Sequence, residues 1–102
     1  MVKIMMIARY PPHKLDELIK NYTSSNKPAY PDYLKKVEHW AAQVTDEKHK
    51  TYAVYECPED KIMDGLAALT KRFTFYAKIE GYTFKSEILA EADEALKMML
   101  GK

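Results

Sequence analysis

The chain has 102 residues, 47% hydrophobic and 12% aromatic, which is enough for one domain with a real core and argues against disorder. Its 16 basic and 15 acidic residues are spread along the sequence and leave a net charge of +1, so we expect neither nucleic acid nor a membrane as a partner. One cysteine and a short N-terminal apolar run predict no internal disulfide, signal peptide or membrane span, hence a cytoplasmic protein.

The N-terminal third predicts a strand followed by a helix. Residues 2–10, VKIMMIARY, are apolar on both faces in their middle, which is typical of a central strand. Pro11 and Pro12 end the strand, because proline lacks the N–H that the ladder needs, and they suit the first turn of a helix. An apolar stripe at helical spacing then follows, made of Leu15, Leu18, Ile19 and Tyr22.

Residues 27–36 predict a connection with a short second helix after Pro31. The helix is suggested by apolar residues at the same spacing, namely Tyr30, Tyr33, Leu34 and Val37. Tyr22, Tyr30 and Tyr33 thus border one region, where they either cap the edge of the core with their hydroxyls in water or gate a ligand.

Residues 37–44 and 51–57 predict a hairpin, joined by a charged turn at 46–50. Both segments alternate, but each carries apolar side chains on both faces. An antiparallel sheet with one face in water would instead divide apolar from polar positions cleanly. We therefore expect both faces of this hairpin to be covered.

A longer helix is predicted to begin near Pro58 and to end at Gly81, a position suited to a left-handed cap. Its last part has an alternative, because residues 73–79 also alternate as a strand would. Residues 82–89 predict the last strand, and a short closing helix follows that stops at Gly101.

This order of elements predicts one α+β domain over residues 1–102, with a ferredoxin-like four-stranded antiparallel sheet and helices on one face. The other face would place Met5, Ile7 and Val54 in water, and soluble monomers seldom expose such a patch. A second copy is the simplest cover. We therefore expect a homodimer whose sheets pack face to face into an α+β barrel.

Four segments together carry a resemblance to a known family: IMMIARYPPHKLDELIKNY, EHW, TYAVYECPEDKIMDGLAAL and YTFKSEILAEADEALKMM. The chain resembles the dimeric α+β barrel superfamily, and within it the small uncharacterised members. That resemblance implies the barrel fold and the dimer. Relatives include muconolactone-isomerase-like enzymes, cofactor-free monooxygenases, haem-degrading monooxygenases and proteins without known activity, so the resemblance does not choose a reaction.

The candidate site is expected on the barrel-lining face, which Lys3 and Arg9 share with Met5 and Ile7. Its other candidate members come from the remaining strands: His39, Gln43, Tyr52, Glu56, Lys85 and Glu87. A histidine beside a carboxylate in an apolar cavity can act as a general base. The alternatives are a hydrogen-bonded structural histidine and an ion-pair network.

Trp40 must lie on the face opposite to His39. We therefore expect the Trp40 ring to be buried on the helix side, with Leu15, Leu18 and Leu66.

Other site chemistries find little support in the sequence. The three histidines lack the paired spacing of a zinc site, Cys57 precedes Pro58 without a catalytic signature, and the glycines form no phosphate loop. The six methionines suit core filling better than haem binding. We expect no metal and no cofactor.

Two classes of function remain. One is a small-molecule-binding or assembly protein, and the other is a cofactor-independent monooxygenase- or isomerase-like enzyme acting on a small aromatic compound with His39 as base. A haem-binding or haem-degrading protein is a third alternative.

Overall fold

The computed structural model describes residues 1–42 and 48–101. In chain order the strands and α-helices are β1 (Val2–Tyr10), α1 (Leu15–Tyr22), β2 (Lys35–Ala42), β3 (His49–Cys57), α2 (Ile62–Thr74), β4 (Thr83–Leu89) and α3 (Ala92–Met99). Short 3-10 turns occupy Pro12–Lys14, Glu59–Lys61 and Phe75–Lys78. Gln43 and the first two residues of the turn predicted at 46–50 lie outside the described residues, and His49 and Lys50 belong to β3.

The four strands form one antiparallel sheet in the order β2-β3-β1-β4. The predicted hairpin is therefore confirmed as β2 and β3, and the apolar first strand is central as expected. The fold is α+β and is compatible with the ferredoxin-like arrangement. Within the described ranges, no helix is long and apolar enough to cross a membrane.

Two predicted helices have different outcomes. The short helix after Pro31 is wrong: a turn in which the Leu34 N–H donates to the Pro31 carbonyl (3.1 Å) leads directly into β2. Pro28 and Pro31 favour this extended path because each removes an N–H and restricts the residue before it. The longer helix is confirmed, since α2 and the following 3-10 turn make residues 73–78 helical, and Gly81 has a positive φ of 85°.

The core lies between the sheet and α2. Alternate residues of β1 and β3 point toward the helix and are almost fully buried: Ile4, Met6, Ala8, Ala53, Tyr55 and Cys57. Leu69 and Phe73 of α2 pack on them. Gly65 lets the helix approach closely, because a Cβ there would lie 2.8 Å from the Cys57 Sγ.

The faces of β2 are the reverse of those predicted. Trp40 pairs with Tyr52, its side chain is 64% exposed on the face away from α1 and α2, and its indole N–H donates to the Glu38 carboxylate (3.1 Å). The expected packing of Trp40 against Leu15, Leu18 and Leu66 is therefore wrong.

His39 pairs with the buried Ala53 and so lies on the helix side, not on the face predicted to line a barrel. A β-bulge in β2 changes which face of the sheet the residues on its two sides occupy. The register shifts between Lys36 and Glu38, leaving Val37 as an extra residue.

Candidate functional site: a tyrosine-rich cavity

A cavity of about 230 Å³ lies between the helix-facing side of the sheet and the helices α1 and α2. Its apolar wall comes from Leu18, Ile19, Ala41, Ala53 and Phe73. Six tyrosines line the rest of it: Tyr10, Tyr22, Tyr30, Tyr55, Tyr76 and Tyr82. Three nitrogen-bearing side chains, Lys36, His39 and Arg72, complete the polar part together with Thr51.

The tyrosine rings and hydroxyls are held in place by one another. The Tyr55 ring is buried in the core, and its hydroxyl shares a 2.7 Å hydrogen bond with the hydroxyl of Tyr30. Tyr76 and Tyr82 stack with ring centres 5.4 Å apart. Rotamers locked in this way give a ligand a preformed surface of ring faces.

Burial keeps these phenols protonated. Desolvation, followed by the hydrogen bond with Tyr30, raises the pKa of Tyr55, and desolvation likewise raises the pKa of Tyr82. Desolvation also raises the pKa of Tyr76 to about 12. At neutral pH the cavity therefore presents neutral hydroxyls that can donate or accept hydrogen bonds.

The bulge in β2 brings two polar side chains to the mouth of the cavity. Lys36 and His39 are three residues apart and would face opposite sides of a regular strand, but the extra Val37 places both on the helix side. The Lys36 Nζ lies 5.9 Å from the centre of the Tyr22 ring, and the His39 ring centre lies 6.1 Å from it.

The surroundings of His39 favour its neutral form. Desolvation against the cavity wall lowers the pKa of His39, and the positive charge of Lys36 lowers it further. A neutral ring has one nitrogen free to accept a proton or a hydrogen bond.

Arg72 reaches the cavity from α2 and is fixed by two contacts. Its guanidinium lies 4.1 Å from the centre of the Tyr30 ring, and its Nη1 donates to the Pro28 carbonyl at 2.7 Å. Lys27 lies close by, with its Nζ 4.5 Å from the centre of the Tyr22 ring and within donating distance of the Tyr22 carbonyl. Part of the polar wall is therefore cationic and partly rigid.

The structure separates His39 from the other described residues predicted to share its site. Strand pairing puts most of them on the face away from α1 and α2: Arg9, Tyr52, Glu56, Lys85 and Glu87. Lys85 and Glu87 form an ion pair there at 3.4 Å, while His39 lies on the opposite face. The expected pairing of His39 with a carboxylate in one cavity is therefore wrong within this chain, and Gln43 falls outside the described residues.

Sequence reasoning identified two of the tyrosines that line the cavity and missed its cations. Tyr22 and Tyr30 were expected to border one region and do so, whereas Tyr33 lies elsewhere, with the Lys61 Nζ 5.3 Å from its ring centre. No local sequence pattern marks Lys36 or Arg72 as a cavity residue, because Lys36 reaches the cavity through the bulge in β2 and Arg72 through the packing of α2.

A second uncovered feature is the open face of the sheet, the one away from α1 and α2. Met5, Ile7 and Tyr52 are half-buried at its centre, and Trp40 lies exposed beside Tyr52. Val54 of the same face is only 8% exposed, so the expectation that it lies in water is wrong. Helix α3 is also largely exposed to solvent. Its described side chains are exposed except for the half-buried Ala95, with Leu96 at 52% and Met99 at 77% exposed.

Over the ranges that the structure describes, no three His, Cys, Asp or Glu side chains converge in a way that could hold a metal ion. The fold and the cavity define an α+β protein with a four-stranded antiparallel sheet and a preformed pocket under its helices. Comparison of the chain with protein-family models, with curated proteins and with solved structures gave no match.

Proposed function

We propose that this protein binds a small, single-ring aromatic compound in the cavity under α1 and α2. The observation that carries the proposal is a cavity of about 230 Å³ walled by tyrosine rings with a few convergent polar groups. An apolar cavity of about 150 Å³ is already large enough to bind benzene. The volume therefore suits one substituted ring and favours it over the much larger haem macrocycle.

Isothermal titration with phenol, benzoate and haem tests this proposal. Ala41 lines the cavity from β2, so Ala41→Trp fills it, whereas Ala67→Trp places the same bulk on an exposed part of α2. We expect the wild type and Ala67→Trp to bind one of the single-ring compounds and Ala41→Trp to lose that binding. Absence of binding by the wild type to every compound contradicts the proposal.

A second candidate is a cofactor-independent enzyme in which His39 takes a proton from the bound ring compound. The lowered pKa of His39 at the mouth of the cavity favours it, because a neutral imidazole is the form that accepts a proton. Monooxygenase- and isomerase-like reactions both begin with such a step. His39→Gln should then retain ligand binding and abolish turnover, and turnover that survives the change excludes His39 as the base.

We also propose that the protein is a homodimer, formed through the open face in the manner of the dimeric α+β barrel superfamily. Its accessible surface of 7075 Å² exceeds by about 1,100 Å² the roughly 5,900 Å² expected for a compact monomer of this mass. Its radius of gyration of 15.2 Å likewise exceeds the roughly 13 Å of a compact chain of this length. A stable interface buries about 800 Å² per partner, so the excess is large enough for a second copy to cover.

Helix α3 supports the same conclusion. An isolated helix shorter than about 12 residues is marginal in water, and this one has eight residues with no described side chain fully buried. Packing against the partner would bury the apolar side chains of Leu96 and Met99.

Light scattering with a matched pair of variants tests the dimer. Trp40→Glu puts a charge on the open face, and Met63→Glu puts the same charge on an exposed position of α2 (77% exposed). We expect the wild type and Met63→Glu to have the mass of a dimer and Trp40→Glu that of a monomer. Trp40, the only tryptophan, should also show red-shifted emission once the wild type is diluted into monomers. A stable monomer mass for the wild type at micromolar concentration contradicts the dimer.

A further inference from the structure

The charges around the cavity all have one sign. Lys36 and Arg72 line it and Lys27 lies beside them, whereas no Asp or Glu belongs to its described lining. The ion pair between Lys85 and Glu87 lies on the other face of the sheet. In the described part of the chain, no Asp or Glu forms an ion pair with Lys27, Lys36 or Arg72.

The three cations are close enough to repel one another. Desolvation lowers the pKa of Lys27, and the positive charges of Arg72 and Lys36 lower it further. Contacts with the faces of Tyr22 and Tyr30 partly offset this repulsion but leave the net charge in place. A group of like charges held together beside a cavity is the arrangement that an anion stabilises.

The hydroxyl pair of Tyr30 and Tyr55 adds a donor to this arrangement. The two hydroxyls carry two protons, but only one of them lies in the 2.7 Å bond that joins the oxygens. The remaining proton can be donated to a ligand that reaches this hydroxyl pair. A ligand with an acceptor on its ring or its acid group can take that hydrogen bond.

Building on the proposed function, we propose that the ligand is an anion, a single-ring aromatic carboxylate. Its ring lies among the tyrosines, and its carboxylate is bound at the cationic wall by Lys36 and Arg72. Arg72 is already positioned by the Pro28 carbonyl and the Tyr30 ring, so little order has to be imposed on it when the ligand binds.

Titration calorimetry with benzoate and its neutral analogue benzamide tests this inference. The chain offers an adjacent pair of lysines: Lys36 faces the cavity, and Lys35 pairs with Glu56 on the open face. Wild type should bind benzoate roughly tenfold more tightly than benzamide, the size of one partly screened charge interaction, with the preference weakening at high salt. Lys36→Met should weaken benzoate binding more than benzamide binding and so reduce the preference, whereas Lys35→Met should retain it.

The outcomes separate this inference from the proposed function. Equal binding of benzoate and benzamide by the wild type overturns the anion and leaves the aromatic cavity standing. An equal loss of benzoate affinity in Lys35→Met and Lys36→Met also overturns it, because only the overall charge would then matter. If neither compound binds the wild type but phenol does, the anion is overturned and the aromatic cavity stands; if phenol does not bind either, both proposals fail.

Discussion

The contact between α2 and β3 at Gly65 allows a prediction whose sign depends on one atom. A Cβ added at Gly65 would lie 2.8 Å from the Cys57 Sγ, whereas the Leu34 Cδ1, at 3.7 Å, is at ordinary contact distance. Cys57 is fully buried, and its Sγ donates a 3.4 Å hydrogen bond to the Lys61 carbonyl, so the sulfur has little freedom to move away.

Two effects of opposite sign set the change in the free energy of unfolding for Gly65→Ala. Alanine is favoured over glycine in a helix interior by about 1 kcal/mol, and overpacking a core costs about 1 to 3 kcal/mol. We expect a net loss of about 1 kcal/mol in the wild type. In a Cys57→Ala background the sulfur is absent, only the helix preference remains, and the same change should stabilise by about 0.5 to 1 kcal/mol.

Urea unfolding of the four proteins in this cycle measures both values. Circular dichroism is the appropriate signal, because Trp40 is exposed in the single chain and reports poorly on the core. One protein concentration should be used throughout, since association contributes to apparent stability. If Gly65→Ala changes stability in the same direction in both backgrounds, the close contact between Gly65 and Cys57 is not what governs the helix position.

Three further predictions concern stability. Gly81→Ala should lower the free energy of unfolding in urea by at least about 2 kcal/mol, because φ is 85° and the new Cβ would lie 2.6 Å from the Pro11 Cγ. Gly101→Ala should cost less, since φ is 71° there and no neighbour lies within 4 Å. Equal costs for the two variants would refute the clash with Pro11. The pKa of His39 is lower in the folded protein than in the unfolded chain, so on acidification the unfolded chain binds the proton first. The free energy of unfolding should therefore fall as the pH drops below about 6.5. If His39→Gln leaves the dependence of stability on acid pH unchanged, this prediction is wrong. Tyr76 has a pKa raised to about 12, so its contribution to stability should fall as the pH rises above about 10 and be lost by about 12. Tyr76→Phe should reduce the alkaline loss of stability, which calorimetry at alkaline pH can measure.

Local patterns predicted most of the fold because most of its elements are locally determined. The helix predicted after Pro31 shows where this fails. Its spacing combined residues with separate tasks: Leu34 is buried in the core, while Tyr30 bonds to the hydroxyl of Tyr55 in β3. Periodicity cannot distinguish one helix face from contacts made independently by an irregular segment.

The site was less predictable because it depends on which face each strand residue occupies. Alternation establishes only that His39 and Trp40 lie on opposite faces, and assigning His39 to the barrel-lining face then placed Trp40 wrongly on the helix side. The cavity also needs Arg72, which is far from both residues in sequence and reaches the cavity through the packing of α2. Neither the face that His39 occupies nor the position of Arg72 can be read from a short window of residues.

The bulge in β2 also affects how this chain should be aligned with others. Val37 has no partner on β3, so β2 contains one residue more than its ladder uses. A related chain with a regular strand here would be one residue shorter, and a correct alignment would place its gap at Val37. An alignment without that gap would match the residues on one side of the bulge to positions on the wrong face of the sheet. Among homologues, a one-residue length difference at Val37 would mark the proteins in which positions 36 and 39 do not share one face of the sheet as they do here.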